Sequence, residues 1–197
     1  MEPRLEPIRI LHLVDPGSPG GGACTLRLLA EAVERIPSVT QCVLVVGNAE
    51  HAALASRCGL RPAGRVSPPA GATALARRAV VRALPMLERE HGRFDIVQAW
   101  TANAATLATL VAGDRHRLGI LPIGPLDGIE TEAFGTLLEQ HPMPLLALGP
   151  TIRHEHAVAG IDPDLLFILP PGINHDVLPE DRALARAEIR RRWKVGS

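Results

Sequence analysis

Two kinds of apolar pattern alternate along this chain. The first is short and almost unbroken: Ile8–Val14, Gln41–Val46, Asp95–Ala99, Leu118–Ile123, Leu145–Leu148 and Leu165–Leu169. Runs of branched apolar residues at this length suit strands buried on both faces. Arg65-Val66 reads as a further, very short strand. The second pattern has helical spacing. Leu26, Leu29, Ala30 and Val33 fall at i, i+3, i+4 and i+7, and Ala104, Leu107, Ala108 and Val111 line a later helix. Val80, Ala83, Leu84 and Leu87 mark one face of a long helix from Ala72 to His91, which Pro85 is expected to kink or split. Helices are also predicted over Ala49–Cys58, around Phe134, Leu137 and Leu138, over Thr151–Gly160, and near Asp181–Lys194.

Strands and helices in alternation mean βαβ units with right-handed crossovers. The expected fold is therefore α/β: one doubly wound parallel sheet, Rossmann-like, with helices on both faces. Residues 1–175 make this domain, and residues 176–197 read as a linker and helix leading out of it.

The chemistry gathers where strands end. Asp15-Pro-Gly-Ser-Pro-Gly-Gly-Gly22 joins the first strand to the first helix. Glycines there let the chain turn sharply, and the bare N–H groups of the helix start, with its dipole, offer a seat for phosphate or another anion. Closing a tight turn explains the glycines equally well. A dinucleotide fingerprint requires Gly-x-Gly-x-x-Gly and an acidic residue ending the second strand. Here Thr25 stands where the third glycine belongs, and the second strand ends in Gly47-Asn48, so the match to an NAD site is poor. Trp100, Gly124 and Asp127 also follow strand ends, where open α/β sheets place their ligands. With the glycine loop they are expected to form one wall of an open cleft.

Other constellations carry less. His154 and His156 are two apart and do not share a helical face, so they read as solvated surface histidines. Ser18 lacks the nucleophile-elbow pattern. No catalytic residue can be named, and no metal or cofactor site is expected. Cys24, Cys42 and Cys58 are odd in number and show no metal-ligand spacing. The 197 residues carry 21 basic and 21 acidic side chains, a balance that does not suggest a nucleic-acid partner. The N-terminus has no secretory pattern and no apolar run is long enough to span a bilayer, so the expected location is cytoplasmic; peripheral membrane contact stays open.

The landmarks, taken in order, resemble the N-terminal domain of GT-B glycosyltransferases of the family 4 type. Ile10–Val14, Pro19-Gly-Gly-Gly-Ala23 and Leu28-Leu-Ala30 are similar to that family's opening strand, glycine loop and first helix. Asp95–Trp100 resembles its Asp-Ile-Val strand. Ala147–Pro150, Gly160-Ile161 and Ile168–Asn174 resemble its last N-domain segment, and Asp181–Val195 the arginine-rich helix before the second domain. The resemblance implies the acceptor-binding half of a retaining enzyme that moves a sugar from a nucleotide-sugar to a glycan, lipid or small-molecule acceptor. It implies that Gly20, Gly21 and Gly22 face the donor diphosphate, and that a C-terminal domain carries the rest of the donor site. Family members often have histidines near the ends of the fourth and fifth strands; Trp100 and Gly124-Pro125 occupy those places here. Without the C-terminal domain the chain by itself is expected to be inactive. A stand-alone Rossmann-like nucleotide-binding module and a non-catalytic interaction domain are the alternatives.

Overall fold

The computed structural model describes residues 6–15, 21–67, 73–125, 128–170 and 182–193. Strands β1 (Ile8–Val14), β2 (Val39–Val46), β3 (Gly64–Val66), β4 (Ile96–Trp100), β5 (His116–Leu121), β6 (Leu145–Ala147) and β7 (Leu166–Ile168) form one sheet in the order β3-β2-β1-β4-β5-β6-β7. Every neighbouring pair is parallel. Helices α1 (Gly21–Val33), α2 (Ala49–Arg57), α3 (Thr73–His91), α4 (Ala102–Val111), α5 (Gly128–Gln140) and α6 (Pro150–Val158) alternate with the strands, and α7 (Arg182–Trp193) follows. This is the doubly wound Rossmann-like arrangement expected from the alternating runs.

Side chains of β1 go alternately to opposite faces, as a strand requires. Leu11 and Leu13 join Val97, Ala99 and Leu121 in a core covered by Val80 and Leu84 of α3, Ala104 and Ala108 of α4, and Phe134 of α5. Val14 joins Val43, Val45, Trp100 and Ile120 in a second core, under Leu26 of α1 and Ala55 of α2. Both faces of the central strands are thus dry, which is why the runs are continuous rather than alternating.

Boundaries move where pairing or proline decides them. β2 starts two residues before the apolar run because Val39 and Thr40 pair with Ile8 and Arg9. β5 starts earlier, at His116, and stops at Leu121, because Pro122 has no N–H to continue the ladder. Leu165 is taken into a 3-10 turn, Pro163–Leu165, which leaves β7 only three residues. Pro85 does not split the helix: α3 runs from Thr73 to His91. Pro85 and Val81, whose carbonyl it cannot satisfy, both lie on the exposed side of the helix.

Candidate functional site

Because all strands run the same way, their C-terminal ends share one edge of the sheet. The chain winds outward from β1 to β3, then returns to β4 on the other side of β1. α1, after β1, and α4, after β4, pack on opposite faces of the sheet, and this switch in direction is where open α/β sheets place their ligands. Val14 and Trp100 are paired in register at that point, and Trp100 pairs in turn with Ile120. Gly21 and Gly22 begin α1 on the β1 side. The first N–H groups of a helix have no acceptor within it. Gly124 follows β5 on the far side of β4. Gly20 and Asp127, the other two residues expected here, lie outside the described residues.

Trp100 stands at the edge, yet its ring is buried in the core beneath α1, not laid open on a cleft wall. The reason is a polar chain that the sequence pattern hides. The indole N–H donates to Nδ1 of His12, 3.3 Å away. Indole can only donate, so Nδ1 must be the bare nitrogen and Nε2 must carry the proton. That Nε2–H donates to Oε1 of Gln41 at 3.3 Å, and Gln41 Nε2 donates at 2.7 Å to the carbonyl of Ala30 in α1. Burial lowers the His12 pKa to about 4, with hydrogen bonds from Gln41 and Gln98 working the other way. His12 is therefore a neutral imidazole that ties β4, β1 and β2 to the helix carrying the glycine start.

Thr101, the next residue, has φ 139° and ψ 164° and is the one non-glycine residue with positive φ among those described. This region is strained for any side chain, at about 1–3 kcal/mol. The conformation is held from both sides. Its N–H donates to the Ile120 carbonyl at 3.1 Å, and its Oγ1 accepts the Ala104 N–H at 3.2 Å, capping α4. Asn103, exposed in the first turn of α4, reaches back across the switch point to Asp15, Nδ2 to Oδ2 at 3.5 Å. Polar side chains thus link the end of β1 to the start of α4. Thr101 and Asn103 escaped the sequence reading; a strand-to-helix junction followed by Thr-x-Asn was the available signal.

Around Gly124 a second correction is needed. His156 is not a solvated surface histidine: it is buried, while His154 is exposed. Its Nε2 donates to the carbonyl of Ile123 at 3.0 Å, leaving Nδ1 as an acceptor with no partner. Burial pulls its pKa down. The adjacent Glu155 carboxylate fills the space where a side chain at Gly124 would sit, so α6 braces the loop after β5 from behind. Among the described residues no three His, Cys, Asp or Glu side chains gather as metal ligands, and no helix is long and apolar enough to cross a membrane.

No family model and no curated protein matches the chain. Solved structures do. HepE from Anabaena, in complex with UDP and glucose, superposes with a TM-score of 0.67 at 15% identity, over 95% of this chain and 50% of that one. A glycosyltransferase from Rickettsia africae gives 0.63 at 15% identity, over 97% and 50%. A UDP-N-acetylglucosamine 2-epimerase from Rickettsia bellii gives 0.58 at 13%, over 96% and 48%. The class so defined is a Rossmann-like α/β domain of the GT-B kind. The chain spans about half the length of each of these proteins.

Proposed function

We propose that this chain is the acceptor-side, N-terminal half of a retaining glycosyltransferase of the family 4 type, with a nucleotide-sugar as donor. The observation that carries the reading is the glycine-started helix α1 at the switch point of a sheet whose fold matches half of proteins solved with UDP, glucose and UDP-glucose. In this reading the N–H groups at Gly20, Gly21 and Gly22 stabilise charge that develops on the leaving diphosphate. A second domain closes over the crevice and holds the nucleotide. The acceptor lies along the edge from Thr101 and Asn103 to Gly124 and Asp127, with Trp100 shaping that edge from beneath. The polar pair Asn103 and Asp15 suits hydroxyl-bearing acceptors, since both can exchange hydrogen bonds with a sugar or polyol.

The test is made on the full product of the reading frame, with a panel of nucleotide-sugars and anomer assignment by NMR. Transfer with retained configuration, and a loss of kcat of about a hundredfold in Gly22→Val with little change in acceptor KM, is the expected result. An inverted product, or interconversion of UDP-N-acetylglucosamine without transfer, would replace this reading with another chemistry on the same fold.

A further inference from the structure

We infer that His12 is a positioning residue for the transfer proposed above: through Gln41 it fixes helix α1 along its own axis, and so sets where the N–H groups of Gly21 and Gly22 stand against the Trp100 edge. The inference rests on that proposed function and adds to it a side chain that touches no substrate. Leu11 and Leu13 turn into the core under α3 and α4, so His12 and Val14 turn to the opposite face, under α1. There His12 stands beside Gln98 in the β1–β4 ladder, and both are buried. With Gln41 of β2 they form a polar group that spans three strands inside an otherwise apolar layer. Burying such groups is costly unless each finds its hydrogen bonds. The chain from Trp100 through His12 and Gln41 to the Ala30 carbonyl is therefore held to one arrangement.

What that arrangement fixes is the helix. Leu26 of α1 is fully buried in one core with Val14, Val43 and Trp100. Apolar contact of this kind is non-directional. The Arg27–Glu31 ion pair lies within α1 and ties the helix only to itself. The bond from Gln41 is different, because a hydrogen bond weakens steeply away from its preferred distance and angle. The Ala30 carbonyl takes the Glu34 N–H at 2.9 Å within the helix line and Gln41 Nε2 at 2.7 Å from the sheet. From Ala30 back to Gly22 is about 12 Å of regular helix, so a displacement at Ala30 reaches the glycine start undiminished. At the other end of the chain is Trp100, the residue before Thr101 and two turns of sequence from nothing else that could hold its indole: its N–H goes to His12. Donor side and acceptor edge are thus both referred to one imidazole. Reacting groups misplaced by about 1 Å can lose about a hundredfold in rate, which is the scale of effect this chain controls.

The experiment is transfer kinetics on the full product of the reading frame, with donor and acceptor varied in turn. H12L and Q41L cut the chain at successive links, and H12L/Q41L cuts both. H12Q keeps one acceptor and one donor at the first link. V80A opens the core on the far side of the sheet and lowers stability without touching the chain. Circular dichroism melts place every assay below the Tm of the variant used. Expected is a kcat lower by about a hundredfold in H12L and in Q41L, with acceptor KM unchanged. The double variant should be no worse than either single one, because both act on one chain. H12Q should recover to within about fivefold of the parent, and V80A should keep the parental kcat. Gln41 is only half-buried, so Q41L carries the test where H12L fails to fold. Parental kcat in folded Q41L or H12L, or a loss in V80A as large as theirs, would overturn the inference and leave the proposed function standing. Absence of transfer by the parent with every nucleotide-sugar would instead remove the proposed function, and this role for His12 with it.

Discussion

At the scale of single residues, the molecule hides its most constrained group in plain sight. His12 sits in an otherwise apolar strand and gives no sign in the sequence of being more than a polar interruption. In the fold it accepts from Trp100 and donates to Gln41, and the bond from Trp100 requires the neutral ring. Its pKa falls from 6.5 to about 4. The folded state thus binds fewer protons than the unfolded chain between these values, and stability falls as pH drops through that window. The full contribution is about 3 kcal/mol, present above the unfolded value and lost towards the folded one. Urea unfolding should show about 2 kcal/mol less stability at pH 5 than at pH 7 from this group, a difference absent in His12→Gln. A His12→Gln variant with the same pH slope as the parent would show that the ring is not the titrating group.

Elements were legible to the extent that burial wrote them into the sequence. β1 and β4 are dry on both sides, and their runs marked them within a residue. What the pattern could not carry were ends decided by a neighbour: β2 lengthened by pairing, β5 halted by Pro122, β7 shortened by a turn. The site was legible in the same partial sense. Glycines after β1 and the residues after β4 and β5 were found by position, but the burial of Trp100 and His156 depends on groups far along the chain. The strain at Thr101 depends on the β4–α4 junction, and it makes a prediction for that element. Thr101→Gly removes strain of about 1–3 kcal/mol while weakening the cap by a few tenths, so it should raise stability by about 1 kcal/mol. Thr101→Ala keeps the strain and loses the cap, and should cost about 1 kcal/mol. Thermal unfolding of the two side by side gives opposite shifts in Tm; shifts of the same sign would mean that φ at this junction relaxes.

At the scale of the whole molecule, the proposed function makes a prediction for a chain that spans about half the length of each matched protein. Glycosyl transfer needs donor and acceptor fixed in one orientation, and that fixing can account for about 7–11 kcal/mol of a barrier. On the proposed function this domain supplies one wall of the site: backbone donors at the start of α1, and the Thr101, Asn103 and Asp15 polar group. A single wall neither orients a sugar nor excludes water from the reacting bond. The 197-residue chain should therefore bind nucleotide-sugars weakly and show no transfer, with donor affinity and turnover appearing together once a second domain is joined to it. Calorimetry and a transfer assay on the chain alone, against the same sequence within its full reading-frame product, decide the matter. Tight donor binding or robust transfer by the chain alone would move the catalytic centre into these residues, and would make Asp15 and Asn103 the first side chains to replace.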